Sequence, residues 1–224
     1  MASTFLTTED VRIPVGFPSQ EAFRKWARSN DYPSHGWYSY LAGDLHVDPS
    51  MEEAFTHNLV KGEYAIALGG IAKASKRGYY FHDRMLLSNT QAKLSTEPDG
   101  MFVKFESIER GKIRLIEGSA GGTIELEGTP DMVLEVVSAT SVEKDTVILP
   151  DLYAKAGIAE FWLVDAREHT PQFDILRLTA KGYSKTRKQA GGWLKSTVFG
   201  RSFRLQSQTD RLGNPQFTLE ARDK

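Results

Sequence analysis

Pro130-Asp131-Met132-Val133-Leu134-Glu135-Val136-Val137-Ser138 is the stretch on which the fold of this chain turns. From Met132 to Val137 every residue but one is apolar, without the polar alternation of a half-exposed strand, and this is the pattern of a strand covered on both faces. Such strands lie inside sheets flanked by other layers. The exception is Glu135. An ionised carboxylate in that setting is strongly disfavoured unless a metal, a cation or a dense set of donors compensates it. Glu135 is therefore the first candidate for chemistry, against the plainer alternatives of a structural ion pair or a strand end open to solvent.

Working outward, Thr140 to Ala156 reads as a helix. Thr140 and Glu143 stand at capping-box spacing, and Gly157 falls where a C-terminal glycine belongs. Pro150 inside this run predicts either a kink or a true start near Leu149, with Pro150 at the first helical position. Phe161 to Val164 and Phe173 to Leu178 read as strands, and Gly182-Tyr183 and Gly191-Gly192 punctuate closing hairpins. Upstream, Gly78–Phe81, Met85–Leu87, Met101–Phe105 and Ile113–Ile116 are short strand candidates, and Trp37–Val47 reads as a hairpin around Gly43 and Asp44. Ser50 to Leu68 carries Phe55, Leu59 and Ile66 at helical spacing, with a capping box at Ser50 and Glu53 and a stop at Gly69-Gly70. A shorter helix over Ser19–Ser29, N-capped by Ser19, sits in an N-terminal arm. The expected fold class is α/β (α+β): a central mixed β-sheet flanked by helices, an N-terminal helical arm and C-terminal β-hairpins.

Bulk properties narrow the function. The 224 residues, 40% hydrophobic and 25% charged, describe an ordinary globular chain, read as one compact unit without repeats. The absence of cysteine excludes a disulfide framework, a thiolate metal site and a cysteine nucleophile, and leaves carboxylates, carbonyls and imidazoles as ligands for a hard ion. No N-terminal signal and no membrane-length apolar run is visible, so the cytoplasm is the expected location. Net charge is −1, but between Asp174 and Asp210 there is no acid, while Arg177, Lys181, Lys185, Arg187, Lys188, Lys195, Arg201 and Arg204 fall inside that window. Arg187 and Lys188, near a hairpin tip, are the candidates for contact with a polyanion. The phosphate-binding loop, the dinucleotide glycine fingerprint, the zinc-protease helix and the serine-nucleophile elbow are all missing.

Asp99 stands in Thr96-Glu97-Pro98-Asp99-Gly100, directly before an expected strand. Alone, Pro-Asp-Gly is turn chemistry. Paired with Glu135 on a later apolar strand, it offers two carboxylates to one hard cation, which can acidify a water and stabilise a pentacovalent phosphate.

These elements, together with Tyr153 and Gly157-Ile158-Ala159-Glu160-Phe161-Trp162-Leu163-Val164-Asp165, resemble the Uma2 family of restriction endonuclease-like proteins, in order and in spacing, from about Trp37 to Leu205. The resemblance implies an arm over 1–36, a nuclease-fold domain over 37–205 and a tail over 206–224. It implies the PD-(D/E)XK fold, with Asp99 and Glu135 as ligands of Mg²⁺ or Mn²⁺, DNA as substrate and a homodimer, to which the apolar segment Trp193–Phe203 would contribute an interface. His57 matches a histidine on the first long helix of the family, with Glu53 a weaker candidate on the same face. The chain departs from the pattern in its lysine. The position two residues after the second acid is Val137, and the alternative helical position used by many relatives is Leu149. Lys144 is the best substitute and Lys155 the second. Two functions follow: a metal-dependent endonuclease hydrolysing phosphodiester bonds in DNA, or a nuclease fold that has lost catalysis and serves as a nucleic-acid-binding or protein-interaction module. Retention of both acids favours the enzyme.

Overall fold

The structure, a computed structural model, describes residues 5–8, 11–14, 16–118, 121–168 and 170–223. The chain opens with β1 (Phe5–Thr8), β2 (Val11–Pro14) and α1 (Gln20–Ala27), then the hairpin β3 (Trp37–Leu41) and β4 (Asp44–Asp48). One wide π-type turn over Ala54–Asn58 leads into the long helix α2 (Leu59–Ser75). Strands β5 (Gly78–His82), β6 (Leu86–Asn89), β7 (Leu94–Thr96) and β8 (Gly100–Lys104) precede the short α3 (Phe105–Glu109), followed by β9 (Ile113–Glu117), β10 (Thr123–Gly128) and β11 (Met132–Val136). A second wide turn over Lys144–Ile148 opens α4 (Leu149–Lys155). The fold closes with β12 (Glu160–Asp165), β13 (Gln172–Thr179), β14 (Gly182–Lys185), β15 (Leu194–Lys195), β16 (Ser202–Thr209) and β17 (Pro215–Arg222).

The central sheet runs β14-β13-β12-β11-β8-β5, with β11 parallel to β12 and the other pairs antiparallel. Parallel neighbours need a crossover, and α4 supplies it. Alternation along β11 sorts its side chains into two cores. Met132, Leu134 and Val136 join Trp162, Phe173, α2 residues Val60, Tyr64, Leu68 and Ala72, and the three-stranded sheet β15-β16-β17. Val133 joins Phe161, the α4 residues Leu149, Leu152 and Tyr153, and Leu41, Leu87, Leu94 and Leu126 from a second six-stranded sheet, β4-β3-β7-β6-β10-β9. The expected doubly covered strand is present, and all five of its residues are buried. Each fully buried aliphatic side chain contributes about 1.5–3 kcal/mol, so this sandwich is the main source of stability.

Several boundaries differ from the sequence expectation. Ser50 does not cap the first long helix. Glu53 does, its carboxylate accepting from the backbone N–H groups of Phe55 (3.0 Å) and Thr56. Gly69 and Gly70 do not stop α2, because burial of Leu68 and Ala72 outweighs the roughly 1 kcal/mol that a glycine costs within a helix; the helix ends at Lys76, which takes φ +54°. Glycine does end α4. Gly157 (φ +77°) donates to Ala154 O at 3.0 Å and Ile158 to Tyr153 O at 3.1 Å, the two bonds of a Schellman cap. Packing also crosses the boundaries expected at 36 and 205. Ser19 caps α1 as anticipated, but the helix lies on the second six-stranded sheet, with Phe23 and Trp26 against Tyr38 and Tyr40, and Arg24 reaching Glu125 at 2.5 Å. Beyond 205, β17 pairs along the whole of β16 and buries Phe217 and Leu219.

The segment Trp193–Phe203 is spent internally. Leu194, Val198, Phe199 and Phe203 are core residues and do not form an apolar surface for a partner. Its anchor is Glu160 of the Gly-Ile-Ala-Glu-Phe-Trp motif. The fully buried carboxylate accepts from Ser196 Oγ (2.6 Å), Thr197 N (2.5 Å) and Oγ1 (2.6 Å), Val198 N (3.2 Å) and Trp162 Nε1 (3.1 Å). No helix among the described residues is long and apolar enough to cross a membrane.

Candidate active site

Antiparallel pairing brings the two sequence-distant acids together. The ladder between β8 and β11 ends at the pair of Leu134 with Gly100, so Asp99, directly before β8, and Glu135, next along β11, flank the last pair, near enough for the charge of Asp99 to act on Glu135. Gly100 is more than a turn residue, since a Cβ there would lie 2.2 Å from the buried Tyr80 hydroxyl. Asp99 accepts from Val136 N at 2.7 Å, which ties the start of β8 to the end of β11.

Glu135 is 2% exposed, and its Oε1 accepts from the Tyr153 hydroxyl. Burial, then the negative charges of Asp145 and Asp99, push its carboxyl well above the usual range, while Lys144 and Tyr153 oppose the shift. Lys144 comes from the wide turn that opens α4. Burial alone would lower its ammonium, but Asp145, Glu135 and Asp99 outweigh burial and hold it above the ordinary lysine range. Lys144 is therefore a fixed positive charge beside both acids. Val137 and Leu149, where a motif lysine was sought, are fully buried core residues, and Lys155 is exposed and away from the cleft.

His57 stands at the start of the α2 region, its Nδ1 2.8 Å from Glu52 Oε1 and its Nε2 2.8 Å from Val136 O and 3.8 Å from Asp99 Oδ2. Contacts at both nitrogens fix the orientation of the ring, with Nε2 donating to the carbonyl of Val136. The Glu53 carboxylate is occupied in capping its own helix and in a bond from Thr56 Oγ1.

Four residues were missed from the sequence: Glu52, already met as the partner of His57, and Lys61, Asp145 and Glu97. Lys61, 7% exposed, pairs with Glu52 and lies 3.2 Å from Asp83 Oδ1 and 3.7 Å from Asp99 Oδ1. Burial would lower its ammonium, but the charge of Asp99 and the bond to Glu52 raise it. Its signal was present, because it lies four residues after His57 on one helix face. Asp145, 1% exposed, accepts from Ser141 Oγ at 2.5 Å and sets its Oδ1 3.4 Å from Lys144 Nζ; burial pushes its carboxyl up to about 6. Glu97, buried in the loop before Asp99, accepts from Tyr32 Oη at 2.8 Å and leaves Oε2 without a partner. Nothing local marks either acid as part of a site.

Asp99, His57, Lys144, Asp145, Glu97 and Glu52 line one cleft of about 120 Å³. Glu135 sits behind its wall and is not among the lining residues. Among the described residues no group of three or more histidine or acid side chains forms a ready metal cage. The donor chemistry nevertheless fits a hard cation: carboxylate oxygens dominate, and one of them, Glu97 Oε2, is buried without a hydrogen-bond partner.

Arg187 and Lys188 are exposed after β14 and do not line this cleft. Elsewhere in the basic window, Lys185 pairs with Asp174 (2.6 Å), Arg201 with Asp223 (2.9 Å) and Arg204 with Glu220 (2.5 Å). The charge surplus read from the sequence is therefore partly cancelled in space.

A family model described as "Uma2: Putative restriction endonuclease" matches residues 21–206. A crystal structure described as a putative nuclease belonging to DUF820, from Anabaena variabilis, is similar to this fold with a TM-score of 0.59 and 16% identity, covering 81% of this chain and 90% of that one. No match was found among curated proteins.

Proposed function

Because the chain belongs to the Uma2 family, we propose that the cleft around Asp99 is the active site of a metal-dependent endonuclease that hydrolyses phosphodiester bonds in DNA. The observation that carries this reading is the placement of Asp99 at the head of β8 and Glu135 in the neighbouring β11, both near enough to Lys144 for their charges to raise its ammonium. Asp99 and Glu135 would hold Mg²⁺ or Mn²⁺, which when bound supplies an acidified water and neutralises phosphate oxygens. Lys144, kept charged by its neighbours, would stabilise the negative charge that grows on the phosphate in the transition state. His57 donates to Val136 O and lies against Asp99, so it would hold the end of β11 and the first acid in register. Asp145, beside Lys144 at 3.4 Å, would orient the ammonium.

Cleavage of supercoiled plasmid in Mn²⁺ is the direct test. Wild type should nick the plasmid, and Asp99→Asn and Lys144→Met should each lose about 10²–10³-fold in rate, the usual cost of removing one electrostatic stabiliser, with circular dichroism unchanged. A wild type that binds DNA without cutting it under any divalent cation would assign the fold to a binding role instead.

DNA contact outside the cleft is assigned to Arg187 and Lys188, for which no ion pair occurs among the described residues. Changing both to alanine should weaken duplex binding and reduce the log–log salt slope by roughly one to two counterions, with little change in stability. Fluorescence anisotropy at several salt concentrations reads both quantities, and an unaltered slope would make these two residues an ordinary solvated surface.

A further inference from the structure

We propose that the open face of α2 is a docking surface for a second copy of this chain, the two helices packing antiparallel about a two-fold axis. The inference is independent of the nuclease reading. α2 turns Val60, Tyr64, Leu68 and Ala72 into the core, yet its outer face is also apolar: Ile66 is 76% exposed, Leu59 52%, and Phe55 in the preceding turn 36%. Outer faces of packed helices ordinarily carry charge. Within Leu59–Ser75 the charged residues are Lys61, Glu63 and Lys73, and Lys61 is buried in the cleft network. No described residue covers the Ile66 face. Between the exposed side chains lie Gly62, Gly69 and Gly70, where an added Cβ would meet nothing within 4 Å.

This face is complementary to itself in only one direction. With two α2 helices antiparallel and Ile66 of one opposite Gly62 of the other, Leu59 falls opposite Gly69-Gly70, and the two-fold axis repeats each contact. Every branched side chain then enters a glycine notch, which lets the backbones approach closely. Antiparallel packing also brings the Glu53 end of one helix to the Lys73 and Lys76 end of the other, so charge as well as size is matched. Parallel packing would oppose large to large, acid to acid and helix dipole to like dipole. One consequence concerns the cleft: His57 and Lys61 lie at the same end of α2 as Glu53, so docking brings two lysines of the second copy to its rim.

Sedimentation equilibrium and thiol crosslinking test this. Wild type should sediment at twice the 25.1 kDa monomer mass. Ile66→Glu and Gly62→Leu should each sediment as monomers, with unchanged far-UV circular dichroism and melting, since position 66 is open and position 62 has space around it. The chain has no cysteine, so a mixture of Gly62→Cys and Ile66→Cys proteins under copper-phenanthroline oxidation should give mainly the mixed crosslink. A monomeric wild type, a dimer that survives Ile66→Glu, or no preference for the mixed crosslink would each overturn the proposal.

Discussion

Glu135→Gln should melt higher than wild type at pH 7 and cut no DNA. The carboxyl lies in an otherwise apolar strand with two further acids near it, so its folded-state pKa is raised by burial and by Asp145 and Asp99. The folded state consequently binds this proton more tightly than the unfolded chain does. The stability associated with that proton is complete below the ordinary carboxylate range and is lost as pH rises through the raised pKa, and Asp145, at about 6, adds a change of the same sign. Glutamine removes the titration at position 135 and keeps an oxygen for the Tyr153 hydroxyl. Each kcal/mol recovered should raise Tm by about 2–4 °C in a chain of this size. Calorimetric melts from pH 5 to pH 8 should show wild type falling more steeply than the variant. Added Mn²⁺ should stabilise wild type and leave the variant unmoved, because the lost carboxylate is one of the two proposed ligands. A variant that melts well below wild type would mean that Glu135 is a structural partner of Lys144, and the metal assignment would lose its second ligand.

Glu160→Ala should be the most destabilising single change in the chain, by about 3 kcal/mol or more, since each buried donor left unpaired costs about 1–3 kcal/mol. The carboxylate binds two backbone N–H groups, two hydroxyls and the Trp162 indole, and so fastens residues 196–198 to the centre of the fold. Urea denaturation gives the measurement: the midpoint should fall with little change in slope. Glu160→Gln should lie between the two, because the amide keeps one acceptor oxygen but turns a donor toward groups that also donate. A midpoint shift worth less than about 1 kcal/mol would show that Val198 and Phe199 hold the segment by packing alone.

The contrast between Glu135 and Glu160 explains how much of the site could be read in the sequence. Both are buried in strands, but local pattern marks only Glu135, inside its apolar run, whereas Glu160 stands at the head of β12, just before the apolar residues. Their difference lies in their surroundings, a ring of donors around Glu160 and a group of acids with one lysine around Glu135. Lys144 was legible only as the nearest remaining lysine after Val137 and Leu149 were found apolar. Its location beside both acids depends on the wide turn at Lys144–Ile148, a feature that periodicity does not encode. Lys61, Asp145 and Glu97 were passed over because a charged residue at a helix start or in a loop is ordinarily solvated.

What the sequence determined by itself was local and repetitive. The uninterrupted apolar run of β11, the glycine ending α4, the Ser19 cap and the succession of short strands follow from side-chain period, φ preference and capping, which act within a few residues. The tertiary structure decided the rest. It carried α2 past Gly69-Gly70 because burial exceeds a glycine's entropic cost, and it drew Trp193–Phe203 into the core through a carboxylate more than thirty residues away. It also brought Asp99, at the head of β8, near Glu135 through the pairing of β8 with β11, and joined to them a lysine and an acid from the turn before α4. A pairing between strands depends on which surfaces must be buried together, and no window of adjacent residues contains that information.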